Sequence, residues 1–325
     1  MLWTRVMLLA ALGLAGVTME AAAQDYPSRP ITIVVPFPAG GPSDGLVRIL
    51  GEQMRESLGQ PIVVENVAGA SGSIAAGRVA RAAPDGRTLM LGSWVTHVIN
   101  AAVYTLKYDV VEDFEPIGRV GSNPLLIVAK KSMPANNLKE LIDWLKANGD
   151  KATQGTTGAG TAIHLAGVLF KKETGTTHPF VSYRGGALAI QDLVSGQIDM
   201  MIDIAANSLP QVKGGNLKVY AVTDKQRLAA APAIPTVDEA GLPGLHVSMW
   251  FGFWAPKRTP KDAVGKLNVA VMRALADPGV RQRLFELGVE IPPREQQTPE
   301  ALAAHHKAET ERWWPIIKAA SIKAE

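Results

Sequence analysis

Four glycine-rich loops carry the residues in this sequence that could bind an anion. They span residues 36–44, 69–73, 155–161 and 183–187, and each lies between an apolar run and a helical segment. Glycine lets a ligand approach the backbone closely, and the first turn of a helix has free N–H groups at the positive end of its dipole. Any one loop also fits an ordinary tight turn. Because such loops lie at the carboxyl ends of parallel strands, where α/β proteins bind ligands, their repetition predicts one anion site.

The candidate ligand-binding residues lie in these loops or follow neighbouring strands. They are Phe37, Ala39, Gly40, Ser43, Asp44, Gly69, Ser71, Gly72, Ser93, Thr96, His97, Gly160, Thr161, Ala162, His164, Tyr183, Arg184, Gly185, Gly186 and Asp203. Arg184 is the only cation in the four loops. His97 and His164 could face a ligand, although a structural hydrogen-bonding role is commoner for such histidines. Asp203 ends an apolar segment, where a carboxylate must be paired. It is expected either to face the ligand, accepting hydrogen bonds from a loop, a water or an ammonium group, or to brace a loop.

Details of spacing argue against several enzyme classes. The sequence has no GxxxxGK[ST] motif, residues 155–160 have the wrong spacing for a dinucleotide fingerprint, and residues 69–73 lack the last glycine of a nucleophile elbow. His305, His306 and Glu309 fall within one helical turn, a spacing that a metal could use. Their Lys- and Glu-rich helix favours a solvated face instead. The sequence therefore predicts no catalytic residue, no metal and no cofactor. A hydrolase is the alternative, and it would require a nucleophile–base pair.

The first residues have the pattern of a secretory signal peptide. Arg5 precedes an apolar run over residues 6–17, and small residues at 21–23 fit a cleavage site, so residues 1–23 are predicted to be removed on export. The chain has no cysteine, so neither a lipid anchor nor a disulfide is expected. Its net charge is +3, with no run of Lys or Arg, which argues against nucleic acid as a partner. We expect a monomeric protein of the bacterial periplasm.

Strands and helices are predicted to alternate from residue 31 onwards. Leu46, Leu50, Met54 and Leu58 form an apolar stripe at helical spacing, and Asn137 and Glu140 match a capping box. Strands are predicted at 31–35, 62–65, 89–91, 125–129, 199–204, 219–222 and 250–255, and further helices at 73–82, 162–174 and 187–195. Thr259-Pro260 and Thr298-Pro299 are predicted to begin two more helices, each with threonine as the N-cap.

These strand–helix units predict parallel sheets covered by helices, divided between two lobes. The first lobe is predicted over residues 24–121 plus 250–325, and the second over 122–249. Glycine and proline interrupt the strand pattern near residues 121–124 and 244–250, where the chain is expected to cross between lobes. The natural place for a ligand is the cleft between the lobes, which a hinge could close.

A further signal comes from ten short stretches that follow one another along the chain. They are residues 29–31, 35–41, 65–72, 82–86, 164–167, 183–185, 199–201, 235–237, 240–244 and 250–252. In this order they resemble the extracytoplasmic solute receptors of the tripartite tricarboxylate transporter family, also called Bug proteins. The resemblance implies a two-lobed α/β periplasmic-binding-protein fold, type II-like, with two hinge crossings. It also implies carboxylate binding through backbone amides, hydroxyls and waters, and a large and a small membrane subunit as partners.

The chain departs from that family's usual pattern in its second lobe. Gly186 and Leu188 stand where serine and proline are frequent, Ile204 where a polar residue is common, and Ala162 where a hydroxyl often occurs. Fewer side-chain donors predict a less polar ligand, such as an aromatic or longer-chain carboxylate. The sequence thus predicts a periplasmic receptor that captures a small carboxylate for a secondary transporter. The alternative is a ligand-sensing receptor that serves a membrane signalling protein.

Overall fold

A computed structural model describes residues 26–319 of the chain, so the predicted signal peptide lies outside the described residues. The strands are β1 (Ile31–Val35), β2 (Ile62–Asn66), β3 (Thr88–Ser93), β4 (Phe114–Lys130), β5 (Gln154–Thr156), β6 (Phe180–Ser182), β7 (Met200–Ile204), β8 (Leu217–Val222) and β9 (Ser248–Pro256). The helices are α1 (Pro42–Leu58), α2 (Ser73–Ala80), α3 (Asn100–Val103), α4 (Leu138–Ala147), α5 (Ala162–Thr174), α6 (Gly186–Ser195), α7 (Ala205–Lys213), α8 (Lys261–Ala276), α9 (Pro278–Glu286) and α10 (Pro299–Ala319).

Strand β4 runs through both lobes. Its first part pairs antiparallel with β9, from Phe114 opposite Pro256 to Pro124 opposite Ser248. From Leu125 onwards it pairs with β7 and β8 instead. The first lobe thus has the strand order β2-β1-β3-β9-β4, and in the second lobe β4 lies between β8 and the series β7-β5-β6. The hinge is built on the backbone of β4 and its neighbour β9.

Three parallel strands in each lobe point their carboxyl ends toward the other lobe. β1 pairs in parallel with β2 and β3, and β5 pairs in parallel with β6 and β7. β1 is buried along nearly its whole length because helices cover both faces of the sheet. Helix α1 packs Leu46, Leu50 and Met54 into this core and ends at Gly59, whose left-handed φ of 64° suits glycine.

Local signals place several element boundaries correctly. The structure has α5 at the predicted residues, and the side chain of Asn137 accepts a hydrogen bond from the Glu140 N–H, as the capping box predicted. Thr298 caps α10 by accepting from the Ala301 N–H. The prediction for Thr259 is wrong, because its Oγ1 donates to the Pro256 carbonyl and α8 begins only at Lys261.

Other elements were missed. Strands β5 and β6 are too short for a period-2 pattern, and Pro210 inside α7 disguises that helix. The first part of β4 contains glycine and proline residues, which were predicted to interrupt the strand pattern but lie within the strand. Among the described residues, we find no helix whose length and apolar character would let it cross a membrane.

Candidate functional site

A cavity of about 430 Å³ lies where the two lobes face each other. Segments that follow β1, β2 and β3 line it on one side, and segments that follow β5, β6 and β7 line it on the other. This size is within the range of small-ligand pockets. Of the candidate residues, those that line the cavity are Phe37, Ala39, Ser43, Gly69, Ser71, Gly72, Thr161, Ala162, Arg184, Gly185, Gly186 and Asp203.

Several helices begin at this cavity without a side-chain cap. The N-cap residues of α1, α2 and α6 are Gly41, Gly72 and Gly185, and none of them makes a side-chain capping bond. At the start of α7, the Ala206 N–H donates to Asn123 Oδ1 at 2.9 Å, so this helix start is already occupied. By contrast, side chains cap α4, α5 and α9. Helix α8 also lacks such a cap, but it does not line the cavity. Free N–H groups at uncapped helix starts attract anions. The cavity therefore has anion-binding groups from both lobes.

The loop that enters α1 is held by a carboxylate behind it. One oxygen of Asp44, Oδ2, accepts 2.9 Å hydrogen bonds from the Gly40 N–H and from Nε of Arg48. Asn66 donates through Nδ2 to the Phe37 carbonyl, at 3.1 Å. Burial alone would raise the pKa of Asp44, but the bonds from Arg48 and Gly40 hold it below its usual value. Asp44 and Gly40 thus support the loop from outside the cavity.

The loop that enters α2 adopts an unusual backbone conformation. Ala70 and Ser71 have positive φ angles of 44° and 51°, which strain residues other than glycine. Asn100 braces this turn, because its Nδ2 donates to the Ser71 carbonyl at 3.0 Å. At Gly72 a side chain would not fit, since a Cβ atom would lie 2.8 Å from carbon atoms of Pro36 and Thr96. Strain of this kind is retained where a site requires it.

The lobes touch each other at the rim of the cavity. Ser71 Oγ donates to the Ala159 carbonyl of the other lobe at 3.1 Å, and lies 3.1 Å from the Tyr104 hydroxyl. A Cβ atom at Gly160 would lie 3.3 Å from Val103 of the first lobe. The described conformation is therefore a closed one at this edge.

The loop that enters α6 supplies the positive charge. Within the described residues, Arg184 is the only cation that lines the cavity, and its side chain is exposed. Tyr183, next to it, donates its hydroxyl to Asp192 Oδ2 at 2.7 Å and does not line the cavity. A Cβ atom at Gly186 would lie 2.9 Å from Asn207 Nδ2, so glycine leaves room for that amide.

Asp203 is the acidic group of the cavity. Its side chain is buried, Oδ2 accepts a 2.8 Å hydrogen bond from Asn207 Nδ2, and Oδ1 has no hydrogen-bond partner within the described part of the chain. Burial raises the pKa of Asp203 to about 7, although the hydrogen bond from Asn207 opposes the shift. Burial thus favours the neutral form of this carboxyl.

The remaining candidates lie outside the cavity lining. His97 is fully buried in the first lobe, where its ring stacks on Trp254 at 3.9 Å and its Nδ1 lies 3.0 Å from Thr96 Oγ1. Burial, and then the neighbouring His306, lower the pKa of His97 well below its ordinary value, so it is a neutral core residue. The candidates that the structure does not bring to the lining are Gly40, Asp44, Ser93, Thr96, His97, Gly160, His164 and Tyr183.

His164, on α5, packs against Phe180, with 5.1 Å between ring centroids. Its pKa is lowered by burial and then by Lys171. The Thr161 side chain caps the same helix by accepting from the His164 N–H. His164 is thus part of the wall behind the cavity, and neither it nor His97 forms a nucleophile–base pair in the lining.

Sequence reasoning missed some lining residues. Asn207 lies on α7, a helix that was not predicted. Its spacing of four residues from Asp203 would have placed the two side chains on the same helical face, and this spacing could have identified it. Met249 comes from the hinge strand β9 and has no local signature. Apolar residues complete the lining, and they include Pro36, Pro38, Val95, Ile163 and Ile204.

The face of α10 that carries His305, His306 and Glu309 was predicted to be solvated, but it packs against the first lobe. His306 is only 5% exposed, and its Nε2 donates to the His97 carbonyl at 2.7 Å. Glu309 accepts hydrogen bonds from the indole N–H groups of Trp250 and Trp313, both at 3.1 Å. Long-range packing of α10 against the first lobe explains the error. In the described part of the chain, no group of three or more His, Asp or Glu residues is arranged to hold a metal ion.

A second cavity of about 330 Å³, here called the rear cavity, lies on the other face of the hinge. Ser248 and Trp250 line it, whereas Met249 lines the first cavity. Successive residues of a strand point to opposite faces, so β9 separates the two. The rear cavity contains charges of both signs, including Arg119 and Glu290.

Two α/β lobes on a shared hinge, with a cavity at the carboxyl ends of their parallel strands, define a solute-binding receptor of the periplasmic-binding-protein fold. Solved structures support this class. The periplasmic binding protein BugD is 40% identical, with a TM-score of 0.87, and the match covers 92% of this chain and 100% of BugD. MatC from Rhodopseudomonas palustris with bound malate is 38% identical, with a TM-score of 0.85, and the match covers 90% of this chain and 100% of MatC.

A third structure, a Rhodopseudomonas palustris protein with adipate, is 34% identical, with a TM-score of 0.86; the match covers 92% of this chain and 99% of that protein. Residues 46–322 match the sequence model described as the tripartite tricarboxylate transporter family receptor. The chain belongs to this family of receptors. It is therefore a solute-binding receptor and not an enzyme, and the family's members include periplasmic binding proteins.

Proposed function

We propose that this receptor captures a small carboxylate in the cavity between its lobes. The observation that carries the proposal is the convergence of uncapped helix starts from both lobes on one cavity, where Arg184 is the single cation among the described lining residues. Backbone N–H groups in a partly buried cleft stabilise an anion without a large local charge. Relatives with malate and with adipate support this ligand class.

The lining also bears on which carboxylates fit. Phe37, Ile163, Ile204 and Met249 give the cavity extensive apolar surface. Apolar contacts favour ligands that carry a hydrocarbon segment. We therefore expect carboxylates with a hydrocarbon chain or ring to bind more tightly than short, highly hydroxylated acids.

The proposal also covers where the receptor acts and to which partner it delivers its ligand. Residues 1–23 direct export, the mature receptor is a monomer of the periplasm without a lipid anchor, and it delivers its ligand to the membrane subunits of a tripartite tricarboxylate-type transporter. Its lobes comprise residues 24–121 plus 250–325 and residues 122–249. Absence of cysteine from the chain supports the lack of a lipid anchor.

A thermal-shift comparison of carboxylates with their primary amides tests the ligand class. Each pair has nearly the same shape but differs in charge, and a ligand at 100 times its dissociation constant stabilises the receptor by about 2.7 kcal/mol. We expect stabilisation by straight-chain dicarboxylates and none by the matched diamides. Equal stabilisation by acid and amide, or by neither across the whole panel, contradicts the proposal.

A further inference from the structure

Asp203 is fully buried and lines the cavity with one oxygen unpartnered among the described residues, which indicates a role beyond bracing the cavity wall. Its side chain lies near the start of α6. Oδ2 is occupied by the Asn207 amide, and Oδ1 has no protein partner in the described residues. A buried polar atom without a partner is costly, so a ligand atom that meets Oδ1 is favoured.

In the part of the chain that the structure describes, no charged group near Asp203 would hold it ionised. Strand β4 places Leu126 opposite it, α6 presents Gly186, and α7 presents Asn207 and Ser208. No charged partner of Asp203 is found within residues 26–319, and the other charged residue of the lining is the exposed Arg184. Uncompensated burial therefore favours the neutral acid, in agreement with a pKa of about 7.

A neutral carboxyl and a carboxylate are complementary. The protonated acid has one O–H to donate, and an ionised ligand has only acceptor oxygens. Hydrogen bonds from O–H to O⁻ are short and stronger than those between neutral groups. An ionised Asp203 would instead repel the same ligand in a site of low dielectric constant.

We propose that Asp203 binds the ligand as a neutral hydrogen-bond donor to one carboxylate oxygen, so that capture of the ligand is coupled to a proton. This inference rests on the proposed function and names the chemistry at one end of the ligand. The carboxylate end lies against Asp203, with the N–H groups at the start of α6 beside it. A ligand with an ammonium group at this end is disfavoured, because a neutral acid gives it no counter-charge.

The sign of the pH dependence follows from which form of Asp203 binds. The free receptor loses the proton of Asp203 as the pH rises through about 7, while ligand carboxylates stay ionised throughout. Affinity is thus greatest below pH 7 and falls above it. If Asp203 stays protonated in the complex over this range, the dissociation constant should rise about 30-fold from pH 6 to pH 8.5.

Isothermal titration calorimetry with adipate and malate, between pH 6 and pH 8.5, tests this coupling. Asp203→Asn keeps a donor toward the ligand and an acceptor for Asn207, so its affinity should be independent of pH. Asp203→Ala removes the donor and should bind more weakly at pH 6. Asp143→Asn is the matched control, because Asp143 pairs with Lys139 on the exposed surface of α4, and it should keep the pH dependence of the unaltered receptor.

A second measurement needs no variant. Titrations at pH 8 in HEPES and in Tris, whose ionisation enthalpies differ, count the protons exchanged on binding, and uptake of up to one proton per ligand is expected. Binding that is constant or tightens with pH, or that releases protons, overturns the role of Asp203 while leaving carboxylate capture intact. Absence of binding by any carboxylate of the panel at every pH overturns both proposals.

Discussion

Ser71 Oγ donates a hydrogen bond to the carbonyl oxygen of Ala159, 3.1 Å away on the opposite lobe. Ser71 was predicted to bind the ligand, and in the structure it lines the cavity while its hydroxyl also joins the two lobes at the rim. The strained backbone of Ser71 and the brace from Asn100 keep the hydroxyl in position. A contact made only when the lobes are together stabilises the closed form.

Removing this hydroxyl should shift the receptor toward an open form. Ser71→Ala keeps the positive φ, so the variant differs mainly in the lost hydrogen bond, which is worth about 0.5–1.5 kcal/mol. We expect weaker ligand binding, by up to about tenfold, since 1.4 kcal/mol corresponds to a factor of ten. Small-angle X-ray scattering should show a larger radius of gyration without ligand.

Ser195→Ala is the matched control for that variant. Ser195 lies at the exposed end of α6, where its hydroxyl donates to the Asp192 carbonyl within one helix. It should change neither affinity nor radius of gyration. Identical behaviour of the two variants would show that the contact between Ser71 and Ala159 does not hold the lobes together.

Close packing at Gly72 should make that position intolerant of a methyl group. In Gly72→Ala, the Cβ atom would lie 2.8 Å from Pro36 and Thr96 and would have to sit at a φ of 86°. Strain at positive φ costs about 1–2 kcal/mol, and overpacking adds about 1–3 kcal/mol. Urea unfolding should therefore show a loss above about 2 kcal/mol, together with weaker ligand binding, because the loop that lines the cavity must move.

Gly175→Ala separates these two costs. Gly175 has a φ of 68°, but a Cβ atom there would meet nothing within 4 Å. This variant should lose only the smaller, conformational amount and bind ligand normally. The same comparison applies to Gly40, whose φ is 78° and whose Cβ would also be in open space. If Gly72→Ala is no worse than Gly175→Ala, the loop is looser than the structure indicates.

Arg184 should contribute to affinity through its charge. Arg184→Ala removes the cation of the cavity lining, and a charge-assisted hydrogen bond is worth about 1.5–3 kcal/mol when formed. Because the side chain is exposed, we expect a loss of about tenfold at low salt and a smaller one at high salt. Calorimetry at two ionic strengths measures both. Arg283→Ala, which breaks an exposed ion pair with Glu52, should leave affinity unchanged. Unaltered binding by Arg184→Ala would mean that backbone groups alone hold the anion.

His97 should affect stability in acid but not ligand binding. The folded protein keeps His97 neutral, whereas the unfolded chain binds a proton below pH 6.5, so its stabilising contribution is present above that pH and is lost below it. His97→Gln should therefore bind ligand within about twofold of the unaltered receptor. Urea unfolding measures the free energy of unfolding of both proteins. The amount by which the unaltered protein exceeds the variant should decrease by about 1.4 kcal/mol for each pH unit below 6.5. A large loss of affinity would instead place His97 at the site.

Much of the site could be predicted because its signals are local. Glycine is required at Gly72 by the left-handed backbone at the start of α2, and such a requirement can be inferred from the residue type. The roles of individual side chains depended on distant partners. Nothing near Ser71 in the sequence indicates Ala159, and His306 is buried only because α10 packs on the first lobe. Asn207 was missed because Pro210 disguised the helix that carries it.

The most direct test of the central claim is a crystal structure of the receptor with a dicarboxylate that stabilises it. We predict electron density for the ligand between the lobes, with a carboxylate within hydrogen-bond distance of Asp203 and of N–H groups at the start of α6 or α1. Density in the rear cavity, or on the surface with the cavity between the lobes filled only by water, would contradict the claim.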